Sequence, residues 1–163
     1  MQAIKAPFEG YRDKVRPAWI DHNGHMNMGY YLVVFDFATD AFLDDCGLTA
    51  DHRETQQITT FSLEAHINYL QEVREGDPLL FRTWLLGFDE KRIHYIHEMV
   101  HAEDGYRAAT NELMSLHVSR ETRRAAPMHP DIQARLAAMQ AAHARLDPPP
   151  EAGRSIGLKN RRK

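Results

Sequence analysis

A carboxylate stands at the start of the longest apolar segment in the sequence. The run Asp21-His-Asn-Gly consists of residues that favour turns, and Asn27 follows where a side-chain oxygen can cap the first turn of a helix. No proline interrupts the segment that comes next, and Gly47 is placed to end a helix in the left-handed conformation. The pattern predicts a helix from about Met28 to about Cys46, with Asp21 in the turn before it.

This arrangement suits attack on an electrophilic carbon. The first amides of a helix have no partner within the helix, and together with the helix dipole they favour negative charge. The amides of Met28 and Gly29 are therefore candidates for an oxyanion hole. Asp21 can act as a nucleophile or as a base that activates water, and the sequence leaves both roles open. The alternative for Asp21 is a turn residue that only satisfies local amides.

The predicted helix is apolar on almost every side. Its acids Asp36, Asp40 and Asp44 form one narrow stripe at helical spacing. A helix of this composition is typical of a buried element, so we expect it at the centre of the fold.

The remaining segments predict strands that can surround this helix. The proline-containing segment Tyr11–Trp19 is predicted to be a short edge strand, and the polar segment Thr49–Gln57 a surface loop. From residue 60 to 69, polar and apolar residues alternate with the period of a half-buried strand. Further strands follow after short polar turns, at Leu79–Phe88, Arg92–His101 and Tyr106–Ser119. This run indicates an antiparallel meander, and strands of such length must curl around a core element.

A second helix is predicted near the C-terminus. Residues 131–146 are rich in strong helix formers, and their apolar face is mostly alanine, so we expect the helix to pack on the outside. We divide the chain into a main domain of residues 1–127, a helical segment at 128–147 packed on it, and a tail at 148–163. The tail is predicted to be mobile unless its few apolar residues dock it.

Composition places the chain among ordinary soluble proteins with one core. Of its 163 residues, 43% are hydrophobic and 26% charged, and the net charge of −3 gives no general reason to bind nucleic acid. Cys46, the one cysteine, excludes an internal disulfide and indicates a reducing compartment. The N-terminus lacks the apolar run of a signal peptide, and no segment is apolar for long enough to cross a bilayer. We therefore expect a cytoplasmic protein that binds neither membranes nor nucleic acid.

One long helix after a first strand, followed by four antiparallel strands, is the layout of the α+β hotdog fold. The stretch Asp-x-x-Gly-His-Met-Asn-x-x-Tyr-Tyr resembles the 4-hydroxybenzoyl-CoA thioesterase-like branch of that superfamily. The matching positions are Asp21, Gly24, His25, Asn27 and Tyr31. The likeness covers about residues 11–124 and includes the later segments Ile67-Asn-Tyr-Leu, Glu75-Gly-Asp and Leu116-His-Val.

The resemblance implies an acyl-CoA thioesterase that forms a homodimer or homotetramer with its active site between subunits. The thiol of coenzyme A leaves readily because its pKa is roughly 8.5. One carboxylate and an oxyanion hole are therefore sufficient, and the reaction requires neither a metal nor a cofactor. His22 and His25 lie too close to Asp21 in one turn to complete a metal site. The phosphates of CoA need basic residues, but the sequence singles none out.

Candidate substrate-binding residues surround the turn. Trp19, His25, Asn27 and Tyr30 flank the aspartate directly. Glu64 is added because it lies on the polar face of the strand at 60–69, which in hotdog dimers faces the partner's helix. The alternative for Glu64 is a solvated face.

The sequence also looks like the thioesterases found with carnitine catabolism, which act on betainyl-CoA. The likeness extends to Asp89-Glu-Lys-Arg-Ile-His and Leu116-His-Val-Ser. Aromatic faces bind quaternary ammonium groups by cation–π attraction. Trp19 and Tyr30 flank the turn and Tyr31 and Trp84 are expected near it, so these four are candidates to supply the rings, and Glu64 or Asp36 could add a carboxylate. The alternative is that these aromatic residues belong to the core.

Two other functions remain open from sequence. Hotdog hydratases that act on enoyl-CoA carry a histidine five residues after the aspartate, whereas His25 comes four residues after Asp21. A non-catalytic acyl-CoA-binding protein would have no need of a carboxylate beside a helix N-terminus. Both alternatives fit the sequence less well than a thioesterase.

Overall fold

A computed structural model of the protein describes residues 4–158; the last five residues of the predicted tail lie outside the described residues. The strands are β1 (Phe8–Lys14), β2 (Ile58–Tyr69), β3 (Pro78–Phe88), β4 (Arg92–His101) and β5 (Arg107–Ser119). The α-helices are α1 (Met28–Asp45), α2 (Ala50–Thr55) and α3 (Pro130–His143), and a short 3-10 helix spans Pro17–Trp19.

The strands form one antiparallel sheet in the order β1-β3-β4-β5-β2. The predicted hotdog architecture, a sheet curled around one long helix, is confirmed. The meander is confirmed for β3, β4 and β5 only, because β2 pairs with β5 and not with β3. The link between β2 and β3 therefore crosses the sheet, which a short polar connection in the sequence does not reveal.

Helix α1 begins and ends at the predicted residues. Its Asn27 cap accepts from the amide of Gly29 at 2.9 Å, and Gly47 takes a positive φ of 97° just beyond the helix. One side of α1 packs into the concave face of the sheet. The predicted burial on every side is wrong for the single chain, because Leu32 and Val33 on the other side are 46% and 40% exposed.

Strand β2 shows the same exposure of apolar residues. Its alternation predicts a half-buried strand, yet Phe61 and Leu63 are 39% and 50% exposed. In the described part of the chain β2 has a partner strand on one side only, and its pairing with β5 slips between Ser62 and Glu64. The half-buried prediction is therefore wrong for an isolated chain.

Two segments near the helix differ from prediction. The predicted loop Thr49–Gln57 contains α2, which Thr49 caps by accepting from the amide of His52 at 3.2 Å. The first strand lies earlier than predicted, because the segment around Pro17 turns into the 3-10 helix. Its edge position is confirmed, since β1 pairs with β3 alone.

Helix α3 contributes to the core instead of only covering it. Ile132, Leu136 and Met139 are buried in a core cluster that also contains Phe42 and Leu43 of α1 and Leu85 of β3. The alanines of α3 are mostly exposed, at positions 134, 137, 138 and 141, so the larger residues and not the alanines make the contact with the core. The guanidinium of Arg135 also pairs with the carboxylate of Asp45 at 2.8 Å.

Residues after α3 lie across the outer face of the sheet, the face directed away from α1. Glu151 pairs with Arg107 at 2.6 Å, and the amide of Gly153 donates to Glu112 at 2.7 Å. This part of the predicted tail is docked, and it is docked by charged and polar groups, whereas Ile156 is exposed. Among the described residues no helix has the length and apolar character needed to cross a membrane.

Candidate active site

The turn before α1 holds the Asp21 carboxylate in a fixed position. Its Oδ1 accepts from the amide of Asn23 at 2.8 Å, and the amide of Gly24 donates to the Asp21 carbonyl at 3.0 Å. Gly24 has a φ of 79°, which the turn requires. The amide of Asn23 is the main cause that lowers the pKa of Asp21, with smaller contributions from His25 and other neighbours. The carboxylate is therefore ionised at neutral pH, as a nucleophile or base must be.

Asn27 connects the carboxylate to the helix. Its Oδ1 accepts from the amide of Gly29, and its Nδ2 lies 3.4 Å from Oδ2 of Asp21. The backbone amide of Asn27 also donates to the carbonyl of Trp19 at 2.9 Å. One side chain thus ends the turn, starts the helix and contacts the acid.

The two amides predicted as oxyanion donors differ in availability. The Gly29 amide is already bound by the Asn27 cap. The Met28 amide donates to no acceptor within residues 4–158. Met28 therefore offers the free donor beside Asp21, and Gly29 would have to share its hydrogen with Asn27.

A cleft of about 280 Å³ opens beside this helix start. The hydroxyl of Tyr69, at the end of β2, donates to the carbonyl of Met28 at 3.0 Å. The ring of Tyr69 meets that of Tyr31 edge to face, with centroids 5.1 Å apart. His25 and Glu72 also line the cleft. Nδ1 of His25 is 3.3 Å from the Met26 carbonyl, which favours a proton on that nitrogen.

Trp19 and Tyr30 lie on the other side of the turn and stack on each other. Their ring centroids are 6.0 Å apart at an interplanar angle of 23°. Trp19 is buried, and the guanidinium of Arg16 already lies over its ring at 4.6 Å. Trp19 thus packs the base of the turn, while Tyr30 remains partly exposed.

Glu64 does not meet Asp21 within one chain. Its neighbour Ala65 pairs with Leu113, which pairs with Tyr95, and Tyr95 packs against Phe42 of α1. Since side chains alternate along a strand, Glu64 points to the outer face. There it lines a separate cleft of about 400 Å³ with His66, His94, Glu112 and Arg154.

Trp84 is also on the outer face, so its expected place near the turn is wrong. It pairs with Ile96 on that face and borders the cleft formed by the prolines at 148–150. Prediction from the strand sequence alone could not say which face of β3 would turn towards α1.

His97 is buried within the core. Its ring nitrogens bond the hydroxyls of Thr39 at 2.9 Å and Thr83 at 2.7 Å. Burial lowers the pKa of His97 to about 3, so the ring is neutral. In the described residues no group of His, Cys, Asp and Glu side chains has the geometry to hold a metal ion.

Comparison with known proteins places this geometry in a family. The profile of the thioesterase-like superfamily matches residues 15–136, from just after β1 into α3. The chain belongs to the thioesterase-like superfamily. The matched region contains the Asp21 turn, α1 and the strands β2 to β5. The predicted enzyme class, a thioester hydrolase, is confirmed at the level of this family.

Relatives of known function are similar over most of the chain. A betainyl-CoA thioesterase from Pseudomonas aeruginosa is 42% identical over 148 residues, which cover 91% of this chain and 93% of that protein. An L-carnitine dehydrogenase/betainyl-CoA thioesterase from Rhizobium meliloti is 37% identical over 90% of this chain. The matching region is 29% of that longer protein.

Solved structures share the whole described fold. A Staphylococcus aureus protein solved in complex with CoA has a TM-score of 0.86 and 27% identity, covering 96% of this chain and 99% of that one. A candidate thioesterase from Pseudomonas putida has a TM-score of 0.82 and 37% identity, with the same coverage. The likeness extends to α3 and the segment that follows it.

Prediction from sequence missed Tyr69 and Glu72 as residues of this site. Tyr69 is the last residue of the strand predicted at 60–69, and Glu72 follows that strand. Their position depends on where β2 ends relative to α1, and pairing of β2 with β5 sets that position. The sequence around residues 69–72 carries no local signal of it.

Proposed function

We propose that the protein is an acyl-CoA thioesterase that hydrolyses betainyl-CoA to betaine and CoA. The observation that carries the proposal is the ionised Asp21 beside the unpaired Met28 amide, in a chain 42% identical to a betainyl-CoA thioesterase. Because this chemistry takes place on a CoA ester and the chain has one buried cysteine, we expect the protein to work in the cytoplasm.

In the proposed reaction, the thioester carbonyl binds at the start of α1. The Met28 amide donates to the carbonyl oxygen and stabilises the negative charge that develops there, while Gly29 assists by sharing its hydrogen with Asn27. Asp21 either attacks the carbonyl carbon directly, giving an anhydride that water then hydrolyses, or removes a proton from an attacking water. In both routes the CoA sulfur leaves as a thiolate and needs little help from an acid.

The experiment is a comparison of kcat/KM over a panel of acyl-CoA substrates. Thiol release is followed with betainyl-, acetyl-, butyryl-, octanoyl- and benzoyl-CoA. We expect betainyl-CoA to have the highest kcat/KM. A clear preference for octanoyl- or benzoyl-CoA would contradict the choice of substrate and leave the thioesterase assignment standing. Hydration of crotonyl-CoA without thiol release would favour the hydratase alternative, and binding without turnover the non-catalytic one.

We also propose that the protein forms a homodimer, or a tetramer built from dimers, through β2 and the exposed side of α1. Supporting this, the apolar residues Leu32 and Val33 of α1 are exposed in the single chain, and so are Phe61 and Leu63 of β2. The open edge of β2 lies beside them and can pair with a second copy. Light scattering should give at least the dimer mass at micromolar concentration, and a stable monomer would contradict this proposal.

A further inference from the structure

The cleft beside α1 combines tyrosine rings with a carboxylate, which is the chemistry that recognises a quaternary ammonium group. We propose that Tyr31, Tyr69 and Glu72 bind the trimethylammonium end of the acyl group, and that Glu72 makes the site selective for a cation. This inference rests on the proposed function and assigns the substrate's charged end to residues on the cleft side of the turn.

The tyrosine pair supplies the aromatic surface. Tyr31 is buried and fixed on α1, whereas Tyr69 is about half exposed at the rim of the cleft. Their edge-to-face contact leaves ring surface of the outer tyrosine available to a ligand. The hydrogen bond from Tyr69 to the Met28 carbonyl holds this surface at the helix start, where the thioester is proposed to bind. A methylated ammonium attracts such a ring face through the ring quadrupole.

Glu72 supplies the negative charge. Both Nε and Nη2 of Arg74 donate to its Oε1, at 3.2 and 2.8 Å. Its Oε2 accepts from no group in the described part of the chain, so one oxygen remains for a ligand. The hydrogen bond from Arg74 lowers the pKa of Glu72 and keeps it charged. The hydroxyl of Tyr106 also donates to the Glu72 carbonyl at 3.1 Å, which fixes the backbone there.

The other candidates for this role are less suitable. The guanidinium of Arg16 already lies over the ring of Trp19 and occupies the ring face that a ligand would use. Glu64 points to the outer face of the sheet. Asp36 lies more than two turns into α1, and burial together with Asp40 raises its pKa. Glu72 is the carboxylate that lines the cleft at the helix start.

Two substrates of equal shape but different charge isolate the effect of the positive charge on the acyl group. Betainyl-CoA and 3,3-dimethylbutyryl-CoA differ only in having nitrogen or carbon at the branched centre. The change that a substitution makes in the ratio of their kcat/KM values reports recognition of the positive charge, because the difference in intrinsic reactivity between the two thioesters cancels between variants. The variants are Glu72→Gln, Tyr69→Phe and Tyr69→Leu. Glu75→Gln is the matched control, because Glu75 is a nearby exposed acid outside this cleft.

We expect Glu72→Gln to lower this ratio roughly 3- to 30-fold, in the range of a cation–π or similar contact, and Tyr69→Leu to lower it by a similar factor. Glu75→Gln should leave the ratio within about twofold, since the site is kept. Tyr69→Phe keeps the ring but loses the bond to the Met28 carbonyl, so it should lower the ratio less than Tyr69→Leu does. Free betaine should also inhibit a variant more weakly, to the same extent that the substitution lowers the ratio of kcat/KM values. Suppose that the wild type prefers betainyl-CoA but that Glu72→Gln and Tyr69→Leu leave the ratio unchanged. This result would overturn the present inference and leave the proposed function standing. A wild-type enzyme that favours the neutral substrate would overturn both the inference and the proposed substrate.

Discussion

The side-chain nitrogen of Asn27 lies 3.4 Å from Oδ2 of Asp21, while the oxygen of the same side chain caps the Gly29 amide. The position of the proposed catalytic acid is therefore tied to the start of the central helix. The stability of α1 depends on the side-chain oxygen of Asn27, and the orientation of Asp21 depends on its side-chain nitrogen. Substitutions of Asn27 can therefore change one of these properties without the other.

Replacing Asn27 by alanine should reduce both stability and turnover. Loss of the cap should lower the free energy of unfolding by about 1 kcal/mol, and loss of the amide donor should reduce kcat because Asp21 is less well held. Asn27→Ser keeps a capping oxygen but has no amide, so it should retain most of the stability and still lose kcat. Denaturant unfolding and thiol release measure the two effects. Full kcat in Asn27→Ser would show that the contact with Asp21 does not assist the reaction.

The dependence of kcat/KM on pH should show an acid limb below the ordinary aspartate pKa of about 3.9, because Asn23 lowers the pKa of Asp21. Activity requires ionised Asp21, so it is lost as pH falls through that lowered pKa and is constant from about pH 5 to 7. The measurement is thiol release in overlapping buffers, with stability checked at each pH. A limb near pH 6.5, the ordinary pKa of histidine, would indicate instead that a histidine is the essential base.

Buried His97 should make the protein less stable in mild acid. In the unfolded chain this ring takes up a proton below about pH 6.5, but in the folded protein it does so only near pH 3. Its contribution to stability is therefore complete above pH 6.5 and is lost as pH falls towards 3, by at most about 1.4 kcal/mol per pH unit. His97→Gln should be less stable at neutral pH because it loses the fitted contacts with Thr39 and Thr83.

The diagnostic quantity for His97 is the slope of unfolding free energy against pH between 4 and 6.5. The slope should be smaller in His97→Gln than in the wild type, while carboxylates and other histidines contribute equally to both. His66→Gln, at a partly exposed site on the outer face, is the matched control for replacing a histidine by glutamine. Equal slopes in wild type and His97→Gln would show that His97 is not buried in neutral form.

Helix α3 should contribute substantially to stability. Leu136 is fully buried with Phe42 and Cys46 of the α1 end, so Leu136→Ala should cost about 2–5 kcal/mol of unfolding free energy. The same change at exposed Leu146 should cost under about 0.5 kcal/mol. Denaturant titration compares the two variants. Similar small losses in both would mean that α3 only covers the surface, as its alanine content suggested.

Local signals in the sequence are sufficient to predict α1, the turn before it and the long strands. Asn27 and Gly47 mark the helix ends through their own backbone preferences, and alternation marks the strands. Pairing of β2 with β5, the outward direction of Trp84 and the approach of Tyr69 to Met28 are long-range features. They depend on how the sheet curls, for which no short stretch carries a pattern. The apolar side of α1 that is exposed in the single chain is predicted to be buried, because hydropathy alone does not show which residues of the same chain would cover it.

The role of Asp21 is tested most directly by thiol release from betainyl-CoA in wild type, Asp21→Asn and the control Asp147→Asn. Asparagine can still accept from the Asn23 amide, so the turn should persist and the unfolding midpoint should change little. Without an ionised carboxylate, kcat should fall roughly 100-fold or more, whereas Asp147→Asn, at an exposed site, should match the wild type. A folded Asp21→Asn variant that releases CoA at close to the wild-type rate would contradict the account, because Asp21 would then be a turn residue and no more.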